Sequence, residues 1–411
     1  MIAKVDRCRI CGSKDLSPFL DFGQQPFANA LLNNPTDPDQ LYPLALIFCN
    51  ICSLVQLAHR PAQEDLFSTY VWVTGTSKKI HEFSQIFCEA LLSRTSKPQK
   101  NYVLEIASND GALLKPFKKR GYEVFGIDPA QNIAEIANRA GIPTQTSFWG
   151  KETAQKVLAE RGKADVVFAR NVLPHVSNQR DFVEGLSLIL ADDGTLAIEV
   201  HYAGVILREL HYDSIYHEHH CYFSLKTLER LLNEFNLYIF DSVESPISGG
   251  SIIAYIRKQK DTPSTAVQKY RVTEEKEGTN LLSSWQDFAG RCEKHRENLL
   301  SILRELNKDG MTAGYGASAR SSTMLNYCSI KSNLLPIIAD KNQLKQGKYT
   351  AGTHIPISTL ETMLAQKPAT VFVLAWNFKD EIVEELRANG FSGKFLIPFP
   401  DPPRIYSGEK P

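Results

Sequence analysis

Val103-Leu104-Glu105-Ile106-Ala107-Ser108-Asn109-Asp110-Gly111 reads as a strand running into a turn of small residues that opens a helix. Small side chains at such a turn let the backbone come close to a ligand. The next strand closes in Gly126-Ile127-Asp128-Pro129, which puts Asp128 23 residues after Glu105. An acidic group at the end of the second strand can take both hydroxyls of a ribose. The turn lacks the G-x-G-x-x-G needed for close approach of a pyrophosphate. The acidic Glu105 at the strand end suits a cationic, amine-bearing ligand. These features favour S-adenosylmethionine over a dinucleotide, although an ordinary strand–turn–helix would also carry such a sequence.

Outward from this unit, strand and helix signals alternate. Strands are expected at 102–107, 123–127, 165–169 and 194–200, with helical patterns between them. This rhythm predicts a parallel sheet covered on both faces. Ser224 caps a helix over 225–235, and two further runs, 237–243 and 251–257, suggest an antiparallel hairpin closing the sheet. Upstream, residues 78–92 form an amphipathic pattern. Downstream, 258–279 is polar and mixed in charge, as a linker or mobile segment would be. Leu281, Trp285, Phe288, Cys292, Leu299, Leu303 and Leu306 then recur at helical spacing, with His295 filling the missing turn, as in a long helix packed on a neighbouring domain. Strands expected at 335–339, 370–375 and 394–398 make a second, smaller α/β unit. The division that follows is 1–65, 66–260 and 261–411.

Composition narrows the function. Lys+Arg and Asp+Glu are equal at 46 each in 411 residues, which argues against a nucleic-acid partner. The N-terminus lacks a signal-peptide core, and no apolar run approaches the length needed to span a membrane. Among eight cysteines, Cys8-x-x-Cys11 and Cys49-x-x-Cys52 form two matched pairs, while the others are scattered. Two such pairs supply four thiolates to one tetrahedral ion, so a structural zinc in a reducing, cytoplasmic setting is expected. The 37 residues between the pairs make a sizeable tethered loop.

Asp213-Ser214-Ile215-Tyr216-His217-Glu218-His219-His220-Cys221-Tyr222 crowds ionisable groups just after Glu199-Val200-His201-Tyr202 at a strand end. His175 follows another strand in Arg170-Asn171-Val172-Leu173-Pro174-His175 and should face the same crevice. His217, Glu218 and His219 could ligate a metal, but adjacent residues point different ways. Acid–base work is the better reading: a histidine near neutral pKa can remove a proton from carbon next to a carbonyl. Farther on, Gly314-Tyr315-Gly316-Ala317-Ser318-Ala319, with Asp340 24 residues after Gly316, imitates a dinucleotide fingerprint. An NAD-dependent nucleotide-sugar oxidoreductase is therefore the competing activity. A zinc-bearing interaction module is the third.

The sequence resembles the sugar C-methyltransferase family, zinc-containing enzymes that place branching methyl groups on nucleotide-linked 4-keto-deoxysugars. The resemblance spans nearly the whole chain. It is carried by Cys8-Arg9-Ile10-Cys11-Gly12, Gly23 to Asn29, Cys49 to Cys52, Val55-Gln56-Leu57, Thr74 to Ser77, Glu105 to Gly111, Asn171 to His175, Ile215 to His219, Gly249-Gly250-Ser251, Tyr315-Gly316-Ala317 and Gly347 to Pro356. It implies an α/β architecture: a small N-terminal zinc-binding module, a central class I methyltransferase Rossmann-like domain and a C-terminal α/β Rossmann-like domain that helps hold the sugar nucleotide. It implies His219 as general base with Tyr216 and Glu218 beside it, and His175 and Tyr70 in the same pocket. Glu105, Ala107, Asn109, Gly111, Asp128 and Asn171 make the expected cofactor set. Gly314, Gly316, Arg320 and Lys348 are candidates for the substrate's phosphates. The chain departs from the family where a His commonly precedes Gly-Gly-Ser and a Leu-Arg follows. Here Ser248 and Ile252-Ile253 stand there, which predicts a changed substrate contact if that Arg serves one.

Overall fold

The computed structural model describes residues 3–60, 74–76, 78–95, 102–247 and 249–407. The N-terminal strands are β1 (Ala3–Lys4), β2 (Leu16–Pro26), β3 (Leu31–Leu32), β4 (Leu41–Cys49), β5 (Val55–Leu57) and β6 (His59–Arg60). β2 and β4 pair antiparallel from Leu16↔Cys49, so the strand itself delivers Cys49 to the metal-binding end. Leu20, Phe22, Leu44, Leu46 and Phe48 bury one face of this sheet against the long helix of the C-terminal half, where Phe19 meets Trp285 at 5.8 Å.

The middle of the chain builds α1 (Lys78–Leu92), β7 (Tyr102–Ile106), α2 (Lys115–Lys119), β8 (Glu123–Asp128), α3 (Gln131–Arg139), β9 (Thr144–Thr146), α4 (Lys151–Arg161), β10 (Ala164–Arg170), α5 (Gln179–Ile189), β11 (Leu190–His201), α6 (Ala203–Glu209), β12 (Cys221–Tyr222), α7 (Leu225–Asn233), β13 (Tyr238–Glu244) and β14 (Ser251–Arg257). The sheet order is β13-β14-β11-β10-β7-β8-β9. β7 to β11 run parallel, and β14 lies antiparallel to both neighbours. Buried on both faces, the parallel strands are near-continuous apolar runs, as such sheets require. The order reverses between β7 and β10, which opens a crevice outside their carboxyl ends. β12 does not join this sheet. It pairs with β5, so the catalytic-looking segment before it is tied to the N-terminal module.

The polar stretch expected to be a linker contains a helix, α8 (Thr265–Glu277). Its only buried residues are Val267 and Glu274, so no apolar stripe announces it. Glu274 is a buried cap: its carboxylate accepts from the backbone N–H of Lys226 at 3.2 Å and from Leu225, from Asn280 Nδ2 at 2.9 Å and from the Tyr202 hydroxyl at 2.9 Å. α9 (Leu282–Asp309) buries Trp285, Phe288, Cys292, Leu299, Leu303 and Leu306 as their spacing foretold, and holds His295 between the Tyr212 hydroxyl and the Pro398 carbonyl, each at 2.9 Å, whereas Leu281, expected on the same face, precedes the helix and is exposed. The last sheet holds β15 (Thr312–Tyr315), β16 (Ile338–Ala339), β18 (Ile357–Ser358), β19 (Thr370–Val373), β20 (Lys394–Ile397) and β21 (Arg404–Ser407) in the order β18-β16-β15-β19-β20-β21, with α10 (Ala319–Tyr327), α11 (Leu360–Ala365) and α12 (Lys379–Ala388) between strands. β17 (Tyr349–Thr350) instead pairs with β3 of the N-terminal module. Two expected strands are shorter than their apolar runs. At 335–339 only Ile338–Ala339 pair, and β19 ends at Val373 because the N–H groups of Leu374 and Ala375 turn back to the Tyr315 carbonyl.

Candidate active site

The four cysteine sulfurs of Cys8, Cys11, Cys49 and Cys52 lie within 4.8 Å of one another, with Cys8–Cys52 at 3.4 Å and Cys11–Cys49 at 3.5 Å. A zinc–thiolate shell with bonds of about 2.3 Å has S–S edges of about 3.8 Å, so the donors fit a zinc. Both pairs sit on the same tight turn: Gly12 N–H donates to the Cys8 carbonyl at 2.9 Å and Ser53 N–H to the Cys49 carbonyl at 2.8 Å. Four thiolates leave no coordination position for a reacting molecule. Among the described residues no other group of three or more ligands comes together, so the alternative of a metal on His217, Glu218 and His219 gains no support.

A cavity of about 540 Å³ occupies the crevice at the carboxyl ends of β7 and β10, and residues from all three parts of the chain line it. At one end, β7 delivers Glu105 and β8 delivers Asp128. Ala107, Asn109 and Gly111 all have positive φ, at 56°, 49° and 74°. Gly111 has no alternative, because a Cβ there would stand 2.8 Å from Ile142. The Asp128 carboxylate accepts from Asn109 N at 2.8 Å and Ala130 N at 2.9 Å, which locks the turn. Glu105 is buried and its Oε2 has no hydrogen-bond partner among the described residues. Burial raises its pKa well above the ordinary carboxylate value against the pull of Arg170. An acceptor orphaned beside a bent main chain fits the amino-acid end of S-adenosylmethionine. The turn at Thr74–Thr76 closes over the loop through Thr74 N–H to Asn109 Oδ1 at 2.9 Å, a contact no sequence signal announced.

At the centre, His219 Nδ1 lies 2.8 Å from the Ser214 carbonyl. A carbonyl only accepts, so Nδ1 carries the hydrogen and Nε2 keeps its lone pair. The Tyr216 hydroxyl, 2.8 Å away, donates to that Nε2. The His175 ring stands edge-on to His219 at 4.8 Å. Burial holds the His219 pKa well below the ordinary value, and His175 reinforces this, so the imidazole is neutral. Burial likewise brings His175 down to about 4. Glu218 moves the other way, to about 7, because burial outweighs the hydrogen bond from Asn29. His217 and His220 are not part of the cavity lining. His217 packs against Phe27, and His220 Nδ1 donates to the Val176 carbonyl at 3.0 Å.

At the far end, Ser318, Ala319, Arg320, Asn342 and Lys345 line the cavity. Arg320 lies 3.3 Å from His201 Nε2, 4.0 Å from Asp213 Oδ2 and over the Trp376 ring at 5.3 Å, while Trp376 itself donates to Asp213 at 2.7 Å.

Of the sequence-predicted residues, the cavity brings together Glu105, Ala107, Asn109, Asp128, Asn171, His175, Tyr216, Glu218, His219 and Arg320. Tyr70 and Ser248 lie outside the described residues. Gly111, Gly314, Gly316 and Lys348 do not line the cavity. Gly314 and Gly316 are needed for packing: a Cβ would meet Ile338 at 2.8 Å and Ala375 at 2.5 Å, respectively. The lysine at the cavity is Lys345 rather than Lys348. Ile253, at the position of the family's Arg, is buried in the sheet among Val103, Phe168 and Tyr255, so it changes the core rather than the cavity wall. Asn29 and His201 line the cavity without having been singled out from sequence.

Three family models match the chain in order: a zinc binding domain over residues 8–67, a methyltransferase domain over 80–241 and a C-methyltransferase C-terminal domain over 246–400. The C-methyltransferase NovU of Streptomyces niveus is 31% identical over 417 residues, covering 100% of this chain and 99% of its own. A ubiquinone biosynthesis O-methyltransferase of Pelagibacter ubique is 25% identical over 134 residues, 30% of this chain and 56% of that protein. Among solved structures, the CcbJ methyltransferase of Streptomyces caelestis matches with a TM-score of 0.35 and 14% identity, over 47% of this chain and 94% of that one. None of these relatives is an oxidoreductase, and the NAD-linked reading has no support among them. The full-length match and the ordered domains show that the chain belongs to the sugar C-methyltransferase family, as an S-adenosylmethionine-dependent C-methyltransferase with a structural zinc module.

Proposed function

We propose that this enzyme methylates the carbon next to the ketone of a nucleotide-linked 4-keto-deoxyhexose, with His219 as the base. The observation that carries this is the neutral, tautomer-fixed imidazole of His219, whose Nε2 lone pair accepts, among the described residues, from the Tyr216 hydroxyl. When bound, S-adenosylmethionine supplies an electrophilic methyl group. Nε2 takes the proton alpha to the ketone, and the resulting enolate carbon forms the new C–C bond as S-adenosylhomocysteine leaves. Tyr216 turns its hydroxyl from Nε2 toward the developing enolate oxygen, where a placed donor lowers the barrier. Glu105, Asp128 and the turn between them hold the cofactor, and Asn171 sits at the next strand end. Arg320 and Lys345 supply charge for the phosphates of the nucleotide. The fixed positions of the base and of both ligands make the step effectively intramolecular.

The test is proton exchange in heavy water with uridine- and thymidine-diphosphate 4-keto-6-deoxyhexoses. Wild-type protein should wash out one ring proton alpha to the ketone. His219→Ala should abolish this exchange and lower turnover by about 10²–10⁴-fold while still binding S-adenosylmethionine. Exchange that survives in His219→Ala would remove His219 from the role of base.

A further inference from the structure

We propose that Asn29, a residue of the zinc module, is a positioning residue for methyl transfer, fixing which oxygen of Glu218 is offered to the substrate. This rests on the reading of the cavity given above. Asn29 Nδ2 donates to Glu218 Oε1 at 2.8 Å, and both residues line the cavity. An amide nitrogen can only donate, so Oε1 is held as an acceptor whether or not Glu218 is ionised. Any proton on Glu218 is therefore placed on Oε2, the oxygen that Asn29 leaves open. With its pKa lifted to about 7, Glu218 carries that proton for part of the time near neutrality. It can then donate from a defined oxygen to a carbonyl or hydroxyl of the sugar.

The surroundings hold Asn29 in place. Phe27 stacks on Tyr42 at 4.3 Å and meets His217, the neighbour of Glu218, edge-on at 5.2 Å. Farther along the loop, β3 pairs with β17, and His354 Nε2 meets Asp39 at 2.7 Å. Asn29 itself is exposed, so the side chain supports no core and its removal should leave the fold intact. The zinc module thus contributes to the cavity wall through Asn29.

Two measurements test this. The first needs no sugar: a carbon-13 NMR titration of the Glu218 carboxyl in the zinc-loaded, full-length protein. Asn29 favours the ionised form, so Asn29→Ala should raise the Glu218 midpoint; an unchanged midpoint overturns the proposal. The second is a double-mutant cycle in kcat on whichever keto-sugar the wild type turns over. Asn29→Ala should lower kcat about tenfold, the effect of one hydrogen bond to a carboxyl group, with zinc content and S-adenosylmethionine affinity unchanged. In a Glu218→Ala background it should add less than about twofold. A full tenfold loss in both backgrounds overturns the proposal. Asn29→Leu, of similar size but with no polar group, should match Asn29→Ala and substitutes for it if the alanine variant is poorly expressed. Should Glu218→Ala itself be silent, the reading of the cavity falls; should only Asn29→Ala be silent, the positioning role falls alone.

Discussion

His219 owes its chemistry to a main-chain oxygen. The Ser214 carbonyl fixes the tautomer, burial keeps the ring neutral, and the Tyr216 hydroxyl occupies the nitrogen that would take a proton. A donor on Nε2 stabilises the neutral ring, so its removal makes the ring easier to protonate. In Tyr216→Phe, the His219 midpoint seen by nitrogen-15 NMR should therefore rise toward the ordinary histidine value, while kcat falls about 10- to 100-fold. A midpoint that stays put would show that the phenol does not donate to Nε2. The sequence exposed this site well at the level of residue types, because Tyr, His and Glu crowd into one short segment. It could not separate His219 from His217 and His220 without the resemblance, since the three differ only in what surrounds each ring. Nor did it reveal Asn29, an ordinary polar residue whose partner lies 189 positions away.

At the scale of elements, periodicity carried the reading where apolar residues repeat, and it failed where polar groups do the packing. β14 and α1 appear with the bounds their patterns suggested, whereas α8 is held by Glu274 at the start of α7 and escaped notice. The β3–β17 pairing was equally hidden, because two-residue strands have no period to detect. This clasp is pH-sensitive. His354 lies between Asp39 and the Pro35 carbonyl, and Asp39 is the main cause of its raised pKa. A histidine whose folded pKa exceeds its unfolded value contributes stability that is fully present below the unfolded value and fades as pH climbs past the folded one. Compared by urea unfolding, wild type and Asp39→Asn should thus differ most below about pH 6.5, the ordinary histidine value, and converge under alkaline conditions. The same substitution should bring the His354 midpoint down. A constant gap across pH would assign the clasp to the strand pairing alone.

Across the whole molecule, the zinc module and the 214–222 segment are one mechanical unit. β12 pairs with β5 at Cys221↔Gln56 and Tyr222↔Val55, the Leu57 N–H donates to the His220 carbonyl at 3.0 Å, and Arg9, inside the first cysteine pair, donates to the Leu57 carbonyl at 2.8 Å. The residue next to His219 is thereby fastened to the sheet that the zinc organises. At the cofactor end, Glu105, Asp128 and the turn between them hang from β7 and β8, whose core is shared with α3 and β10 and which Ile10 and Leu54 of the zinc module join through side chains rather than strand pairing. Structural zinc contributes directly to folding free energy, so its removal should release the module and loosen the 214–222 segment first. Titration with a chelator should abolish methyl transfer in step with zinc release, while S-adenosylmethionine binding, followed by calorimetry on the same samples, declines later and less. Zinc restored under reducing conditions should bring turnover back. If turnover persists after the zinc is gone, the brace through β5 and β12 does not hold His219 in place. If cofactor binding and turnover vanish together, the two ends of the cavity are not mechanically separable in the way their strands suggest.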